Sequence, residues 1–357
     1  MKKIAIIGKF HTDKGVVDGQ AIKTSILASE IEALPENHPV LRINTFGWKH
    51  HPLKLVRDTF HGVSVSDDVI LMTDAGGIKV FPWLLLISRI NRKCRLHYVV
   101  IGGWLNKMLK KYPPIAFCLK RFDAVYVETL AMKKGLDAMG FRNAYILRNC
   151  KPLEPLTPAQ LCFSVEEPYK LCIFSRIMRE KGVDTAVEAV ISANERYGRP
   201  VFTLDIYGQV DDEQVLWFEE LSASFPGEIR YCGVASYEES VAVLRPYFAL
   251  LFPTKFYTEG IPGTIIDAYA AGVPVIASEW ENFSDIVDAG QTGIGYPFDR
   301  PDQLKEILTE IPREPEKILQ MKQNCLLKVQ EYLPQNALTV LWKVLFGNTD
   351  SNRFRTV

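Results

Sequence analysis

Most familiar signatures of metal and cofactor chemistry are missing from this sequence. The seven cysteines (Cys94, Cys118, Cys150, Cys162, Cys172, Cys232 and Cys325) are scattered, odd in number and never spaced C-x-x-C. That pattern argues against zinc and against a disulfide framework, and for a reducing compartment. No Walker loop, H-E-x-x-H or G-x-S-x-G occurs, and Gly8-Lys9-Phe10-His11 is a poor dinucleotide turn. Long hydrophobic runs are missing as well. The longest, Val80 to Ile90, is interrupted by Pro82, Ser88 and Arg89 and is too short to span a bilayer. Met1-Lys2-Lys3 leads straight into Ile4-Ala5-Ile6-Ile7-Gly8, the pattern of a buried strand and not of a signal peptide, so a cytoplasmic location is expected.

Net charge is absent too, but the zero hides an asymmetry. Residues 1–150 hold 23 of the 42 Lys and Arg but only 12 of the 42 Asp and Glu, and all six histidines. The remainder holds 19 basic and 30 acidic residues. A basic half suits a phosphate-bearing partner, an anionic membrane surface or nucleic acid; the plainer alternative is mutual attraction between the two halves.

What is present is a globular composition, 47% hydrophobic and 24% charged over 357 residues, long enough for two domains. Short apolar runs at Ile4–Gly8, Val40–Asn44, Val69–Met72, Leu96–Ile101, Ala124–Val127 and Ala144–Leu147 alternate with helical spacing such as Ala21-Ile22…Ile26-Leu27…Ile31. That alternation predicts a parallel sheet covered on both faces. A proline-spaced stretch, Lys151 to Pro158, marks a linker. The pattern then restarts with strands at Lys170–Phe174, Thr203–Tyr207, Ile229–Tyr231, Ala249–Phe252 and Val275–Ala277. Helices are expected at 182–198, 211–224, 237–245, 264–272 and 301–309. The expected domains are 1–155 and 156–335, followed by a C-terminal helix and tail at 336–357, the helix crossing back to the first domain and the tail polar and frayed from Gly347. Two doubly wound α/β domains in tandem set the carboxyl ends of two sheets across a cleft.

Two stretches carry the chemistry. In Phe252-Pro253-Thr254-Lys255-Phe256-Tyr257-Thr258-Glu259-Gly260-Ile261-Pro262-Gly263-Thr264, a strand runs through a polar loop into a helix that ends near Gly272. Backbone N–H groups at such a helix start hold anions or hydroxyl-rich ligands. Glu259 and Asp267, eight positions apart, are acceptors suited to sugar hydroxyls, although the spacing alone equally fits a loop charge and a solvated helix residue. In Leu171-Cys172-Ile173-Phe174-Ser175-Arg176-Ile177-Met178-Arg179-Glu180-Lys181-Gly182, a buried strand enters a loop bearing Arg176 and Lys181, two cations suited to a diphosphate. On its own such a pair is usually just solvated.

Taken together and in this order, the two stretches resemble the family 4 glycosyltransferases, retaining enzymes of the GT-B fold. The first is similar to their Glu-x7-Glu motif, with Asp267 at the second Glu; the second is similar to their Gly-Arg…Lys-Gly segment, with Ser175 at the first Gly. Tyr207-Gly208, Tyr231-Cys232-Gly233-Val234 and Ser284-Asp285-Ile286-Val287 also resemble family positions. The likeness covers residues 165–300 strongly and 123–149 more loosely. It implies that Glu259 contacts donor sugar hydroxyls, that Asp267 contacts ribose, and that Arg176 and Lys181 neutralise the leaving diphosphate. Gly260, Ile261, Pro262, Gly263 and Thr264 would hold phosphate and sugar through the main chain, with Gly208 and Val234 beside the nucleotide. In the first domain, Gly15, Gly19 and Gln20 resemble the family's glycine loop near the diphosphate. The family's strand-end histidine has no clear counterpart: the strand ends in Gly102-Gly103-Trp104, and His97 is expected to be a core or edge residue.

The implied activity is transfer of a hexose-type sugar from a nucleotide diphosphate sugar, UDP being the expected nucleotide, with retention. The acceptor would be a glycan or a lipid-linked saccharide in surface polysaccharide assembly. No cofactor or metal is expected, since no Asp-x-Asp triplet occurs, and no nucleic acid partner. A nucleotide-sugar epimerase of the same architecture and a non-catalytic nucleotide-sugar-binding module are the alternatives. On the acceptor side, Gly102 and Gly103 leave room for backbone approach. Trp104, Lys107, Lys110 and Lys111, with the apolar run Phe81–Ile87, suit peripheral contact with an anionic inner membrane face; a core helix with a solvated rim has the same pattern.

Overall fold

The computed structural model describes residues 1–10, 19–36, 38–90, 92–236 and 238–347. Gly15 and the polar tail beyond Gly347 lie outside the described residues. The chain forms two compact units, Met1–Pro152 with the segment from Tyr332 onward, and Leu153–Glu331.

In the first unit, β1 (Ile4–Gly8), β2 (Val40–Asn44), β3 (Asp68–Met72), β4 (Arg95–Val99), β5 (Ala124–Val127) and β6 (Ala144–Ile146) form one sheet in the order β2-β1-β3-β4-β5-β6. Every pairing is parallel. β1, β3 and β5 are buried along their whole length, as strands covered on both faces must be. Helix Thr339–Phe346 returns to this unit and buries Leu341, Trp342 and Leu345 with Ile4, Ile6 and Ile31. Arg95 donates to the carbonyls of Val344 (2.9 Å) and Leu345 (2.7 Å), so a cation caps that helix's negative end. The apolar C-terminal helix without a strand of its own is thus part of the first sheet's cover.

In the second unit, β7 (Tyr169–Phe174), β8 (Phe202–Tyr207), β9 (Ile229–Tyr231), β10 (Ala249–Phe252), β11 (Val275–Glu279) and β12 (Gly293–Pro297) run parallel in the order β12-β11-β10-β7-β8-β9. β12 was hidden from periodicity because Gly-Ile-Gly-Tyr-Pro has little strand propensity. Its glycines are packing requirements: a Cβ on Gly293 would lie 2.3 Å from the Val275 carbonyl oxygen. The helix Glu316–Lys328 was also unmarked by the sequence pattern. All seven cysteines are free thiols, and burial pushes Cys94, Cys118 and Cys150 up to about 12.

Strand order reverses between β1 and β3 in the first sheet and between β7 and β10 in the second. Beyond the carboxyl ends of the strands flanking such a reversal, the two following loops diverge to opposite faces and leave a crevice where ligands bind.

Candidate functional site

The two chemistry-bearing stretches flank the reversal point of the second sheet. Ser175–Lys181 follows β7, and 253–262 follow β10 into the helix Gly263–Ala270. Gly182, at φ +73°, opens the helix Val183–Tyr197, and a Cβ there would lie 1.9 Å from the Pro253 carbonyl oxygen. Glycine alone permits both the left-handed backbone and this approach. The Lys255 N–H donates to the Glu180 carbonyl (2.7 Å), and Lys255 Nζ donates to both Asp184 oxygens (2.8 and 2.9 Å). The Thr264 hydroxyl donates to the Phe174 carbonyl. A hydrogen bond from Gln214 holds the partly exposed Glu180 carboxyl below its usual range. The two loops are stapled into one surface.

On that surface Lys181 Nζ lies 2.8 Å from Glu259 Oε2, both side chains less than one-fifth exposed. The ammonium also sits over the rings of Phe252 (5.6 Å) and Phe256 (5.4 Å), which shield it from water and strengthen its attraction to anions. Thr254 Oγ1 reaches the same Glu259 oxygen at 3.4 Å. Ser278 donates to the Thr254 carbonyl (2.7 Å), and Asn282 Nδ2 donates to the Glu259 carbonyl (2.6 Å). Thr254, Ser278 and Asn282 are buried and fix the loop from beneath. Sequence reading gave none of the three a role; only Thr254, directly after the strand, had a position that hinted at one. Arg176 stands apart from the pair: it is 59% exposed and its guanidinium lies 3.3 Å from Asp211. The two expected diphosphate cations therefore answer to different carboxylates here.

Gly260, Ile261 and Pro262 are buried, while Gly263 and Thr264 at the helix start are partly exposed. Asp267 lies one turn inside and is only 2% exposed, with Ser240 donating to its carboxylate (3.1 Å). Gly208, after β8, presses on the β7 loop: its Cβ would fall 1.8 Å from the Ser175 carbonyl oxygen, and its N–H donates to the Gly233 carbonyl (2.9 Å). Next to Gly233, Val234 is 68% exposed.

In the first unit, Gly19 opens the helix Gly19–Glu32, and Gln20 Nε2 donates to the Met72 carbonyl at the end of β3 (3.3 Å). Behind Gly102 stands an ion pair that sequence reading missed. Lys23 Nζ lies 2.5 Å from Glu128 Oε1, both residues buried; Lys23 also donates to the Val100 carbonyl (3.1 Å), and the Gly102 N–H points to the same Glu128 oxygen (3.4 Å). Gly103 is buried, and Trp104 Nε1 donates to the Ile101 carbonyl (2.7 Å). Helix Leu105–Lys111 buries Leu105 and Leu109 and exposes Lys107, Lys110 and Lys111. His97 is fully buried, with Nε2 2.9 Å from Asp68 and Nδ1 3.3 Å from the Tyr126 hydroxyl, a core histidine.

Among the described residues, no three His, Cys, Asp or Glu side chains are grouped to hold a metal ion, and no helix is long and apolar enough to cross a membrane.

This architecture recurs in solved structures. The chain resembles Anabaena HepE in complex with UDP and glucose at a TM-score of 0.74 and 15% identity, over 97% of this chain and 99% of that one. It resembles the apo form of the lipopolysaccharide outer core galactosyltransferase WaaB at 0.71 and 15%, over 96% and 99%. The fold is GT-B. In sequence, residues 163–326 match the family model of glycosyl transferases group 1, a span that includes Arg176, Lys181, Glu259 and Asp267. A curated relative, the UDP-N-acetylglucosamine--peptide N-acetylglucosaminyltransferase GtfA subunit of Streptococcus pneumoniae serotype 4, is 30% identical over 145 residues, 39% of this chain and 27% of its own length. The chain thus spans about a quarter of the curated relative it matches. The GT-B chain carries its group 1 pattern in the second unit, on the loops that the Lys181–Glu259 pair joins.

Proposed function

We propose that the chain is a retaining glycosyltransferase, taking a hexose-type sugar from a UDP-sugar bound at the second unit. The observation that carries this reading is the Lys181–Glu259 pair at the reversal point of the second sheet. An ammonium is a counter-charge for a leaving diphosphate, and an ionised carboxylate accepts hydrogen bonds from sugar hydroxyls. Placed 2.8 Å apart, they address the two sides of the bond between phosphate and sugar. Arg176 adds a second phosphate donor once it leaves Asp211, and the N–H groups of Gly263 and Thr264 supply dipoles without a proton to lose. Asp267, held by Ser240, orients ribose. No side chain in the site is assigned as a covalent nucleophile. Attack on the sugar's front face, assisted by the departing phosphate, gives retention, and catalysis rests on positioning and charge stabilisation without metal. The group 1 match and the UDP bound by a relative in fold support this reading.

On the acceptor side, the proposal is a glycan or lipid-linked saccharide in surface polysaccharide assembly, reached at an anionic membrane face. Lys79 and Lys111 converge over the ring of Tyr112 (5.1 and 5.5 Å). Trp83, Ile87 and Phe117 are exposed on helices Phe81–Ser88 and Pro113–Leu119, which pack together. The same helix buries Phe81 and Leu85 in the core, so the run serves both sides.

The test is incubation with a panel of nucleotide sugars, with and without chelator, following UDP release and the anomeric form of the product by NMR. Slow donor hydrolysis with retention, unaffected by chelator, is expected. Epimerised donor, or tight binding without turnover to any glycan primer, would overturn the reading.

A further inference from the structure

Two exposed rings stand on the loop that delivers Glu259. Phe256 and Tyr257 are 37% and 54% exposed, yet the backbone that carries them is tied down. The Phe256 N–H donates to Thr254 Oγ1 (3.1 Å), the Glu281 N–H donates to the Tyr257 carbonyl (3.0 Å), and the Glu259 N–H donates to the Phe256 carbonyl (3.3 Å). Tyr257 is therefore a corner residue of the turn that ends on Glu259. The two rings have different neighbours. Phe256 lies under the Lys181 ammonium (5.4 Å) and belongs to the donor cluster. Tyr257 instead meets Phe298, just past β12, edge-on at 5.2 Å and 73°, and more than half of the residue stays open to solvent. The charges beside this second pair are carboxylates. Glu279, at the end of β11, is in register with Pro297, next to Phe298, and Glu281 holds Tyr257 through its N–H; both residues are exposed, as is Asp299. The cations nearest in sequence, Lys255 and Arg300, are already paired with Asp184 (2.8 Å) and Asp302 (2.9 Å). A fixed ring rimmed by acceptors suits a pyranose whose apolar C–H face lies on the ring and whose hydroxyls donate to the carboxylates.

We propose that Tyr257, braced by Phe298, is a stacking platform on the second unit for a neutral saccharide unit of the acceptor. Glu279 and Glu281 receive its hydroxyls and repel acidic sugars. The proposal rests on the transferase reading above and adds to it an acceptor contact on the second unit and a preference for uncharged sugar. Donor phosphate belongs on the Phe256 side of the loop, beside Lys181, so the Tyr257 side is left for the acceptor.

The test is ligand-observed saturation-transfer NMR with the full chain. The probes are maltotriose, cellotriose and trigalacturonic acid, each with and without saturating UDP or UDP-glucose. At least one neutral trisaccharide should bind, at least fivefold more tightly than the acid, and neither nucleotide should displace it. Tyr257→Ala should weaken it at least fivefold, and Tyr257→Phe should restore most of the loss, since the ring and not the hydroxyl stacks. Displacement by UDP or UDP-glucose would assign the ring to the donor and overturn the proposal. So would equal or tighter binding of the acid, no binding of either neutral probe, or unchanged binding in Tyr257→Ala. Calorimetry with UDP keeps the two readings apart. Equal UDP affinity in wild type and Tyr257→Ala shows that the donor loop is intact in the variant. If UDP affinity falls with it, Phe298→Ala decides instead: it removes only the brace and should weaken the trisaccharide at least twofold, no change overturning the proposal. Failure of UDP to bind the wild type would sink the donor reading and leave the saccharide titration to stand.

Discussion

Lys181 and Glu259, 78 positions apart in sequence, face each other at 2.8 Å across two loops that Gly182 and the Pro253 carbonyl press together. The contact separates two roles that each residue alone leaves undefined. UDP has phosphates but no transferred sugar, so it should feel Lys181 and not Glu259. Lys181→Ala is expected to weaken UDP about tenfold, the loss of one charge-assisted hydrogen bond. Glu259→Gln should leave UDP affinity within about threefold yet cut turnover about 10²-fold, as a lost transition-state contact does. Calorimetry with UDP and steady-state turnover measure the split; wild-type turnover in Glu259→Gln would remove that residue from the site.

Arg176 carries a different expectation because Asp211 already holds it. Arg176→Ala should weaken UDP by a similar tenfold, whereas Asp211→Ala frees the guanidinium and should leave UDP affinity unchanged or raised. The exposed Arg176–Asp211 pair is worth little to stability, so Arg176→Ala should melt near the wild-type temperature; Asp211 also accepts the Glu213 N–H (3.2 Å) as the cap of the next turn, and Asp211→Ala should cost about 1 kcal/mol. Unchanged UDP affinity in both Arg176→Ala and Lys181→Ala would end the diphosphate assignment.

The backbone approach at Gly182 is testable against a control in the same helix. Gly182 and Gly198 both have positive φ (73° and 63°), at the two ends of helix Val183–Tyr197, but a Cβ on Gly198 meets nothing within 4 Å. Gly198→Ala should cost only the backbone strain, about 1–2 kcal/mol. Gly182→Ala adds a collision with Pro253 and should cost more, and it alone should lower UDP affinity although no charged group is changed. Thermal melts and UDP titration of the two variants distinguish these effects; equal UDP affinity in both would mean the loops are not held by this contact.

Among the described residues, eleven of the twelve strands were legible because buried parallel strands are short apolar runs, and Ile4–Gly8 or Ala249–Phe252 admit little else. β12 was not, since its residues answer to close packing through Gly293 and Gly295 and not to hydrophobic pattern. Of the candidate site, the positions of Lys181 and Glu259 were legible through motif order; their mutual contact was not, because no local pattern records a meeting 78 residues apart. The same limit hid Lys23 and Glu128, which are 105 positions apart and look like ordinary charges in sequence. Ser240, beneath Asp267, had no signal at all: its partner lies 27 positions on.

Lys322 offers a test of the second unit's packing by pH. Its side chain is 1% exposed, Nζ donates to the Tyr247 carbonyl (2.9 Å), and burial pulls the ammonium down to about 8 from 10.5. Below pH 8 both folded and unfolded chains carry the proton, and the fold bears the full cost of burying it. Between pH 8 and 10.5 the unfolded chain binds the extra proton, so stability rises with pH relative to a chain lacking the amine. The stability of wild type minus that of Lys322→Met should increase by about 3 kcal/mol over that window. Urea midpoints of both proteins at pH 7 and pH 10 measure it; a pH-independent difference would mean the amine keeps its ordinary affinity for protons.

The basic surface of the first unit makes the last prediction. Lys107, Lys110 and Lys111 point to solvent while Leu105 and Leu109 anchor their helix in the core, so all three are free to change without disturbing the fold. Each Lys near an anionic bilayer contributes roughly 1 kcal/mol, and the exposed Trp83, Ile87 and Phe117 add apolar contact that salt does not screen. The protein should sediment with vesicles rich in anionic lipid, poorly with neutral ones, and be only partly released as ionic strength rises. Replacing the three lysines by Glu should abolish sedimentation and leave UDP affinity intact, because the donor loops belong to the other unit. Replacing Trp83 and Ile87 by Ser should instead make the remaining binding fully salt-labile. Equal sedimentation of wild type and the triple Glu variant, or none for either, would reduce this helix to a structural one with a solvated rim.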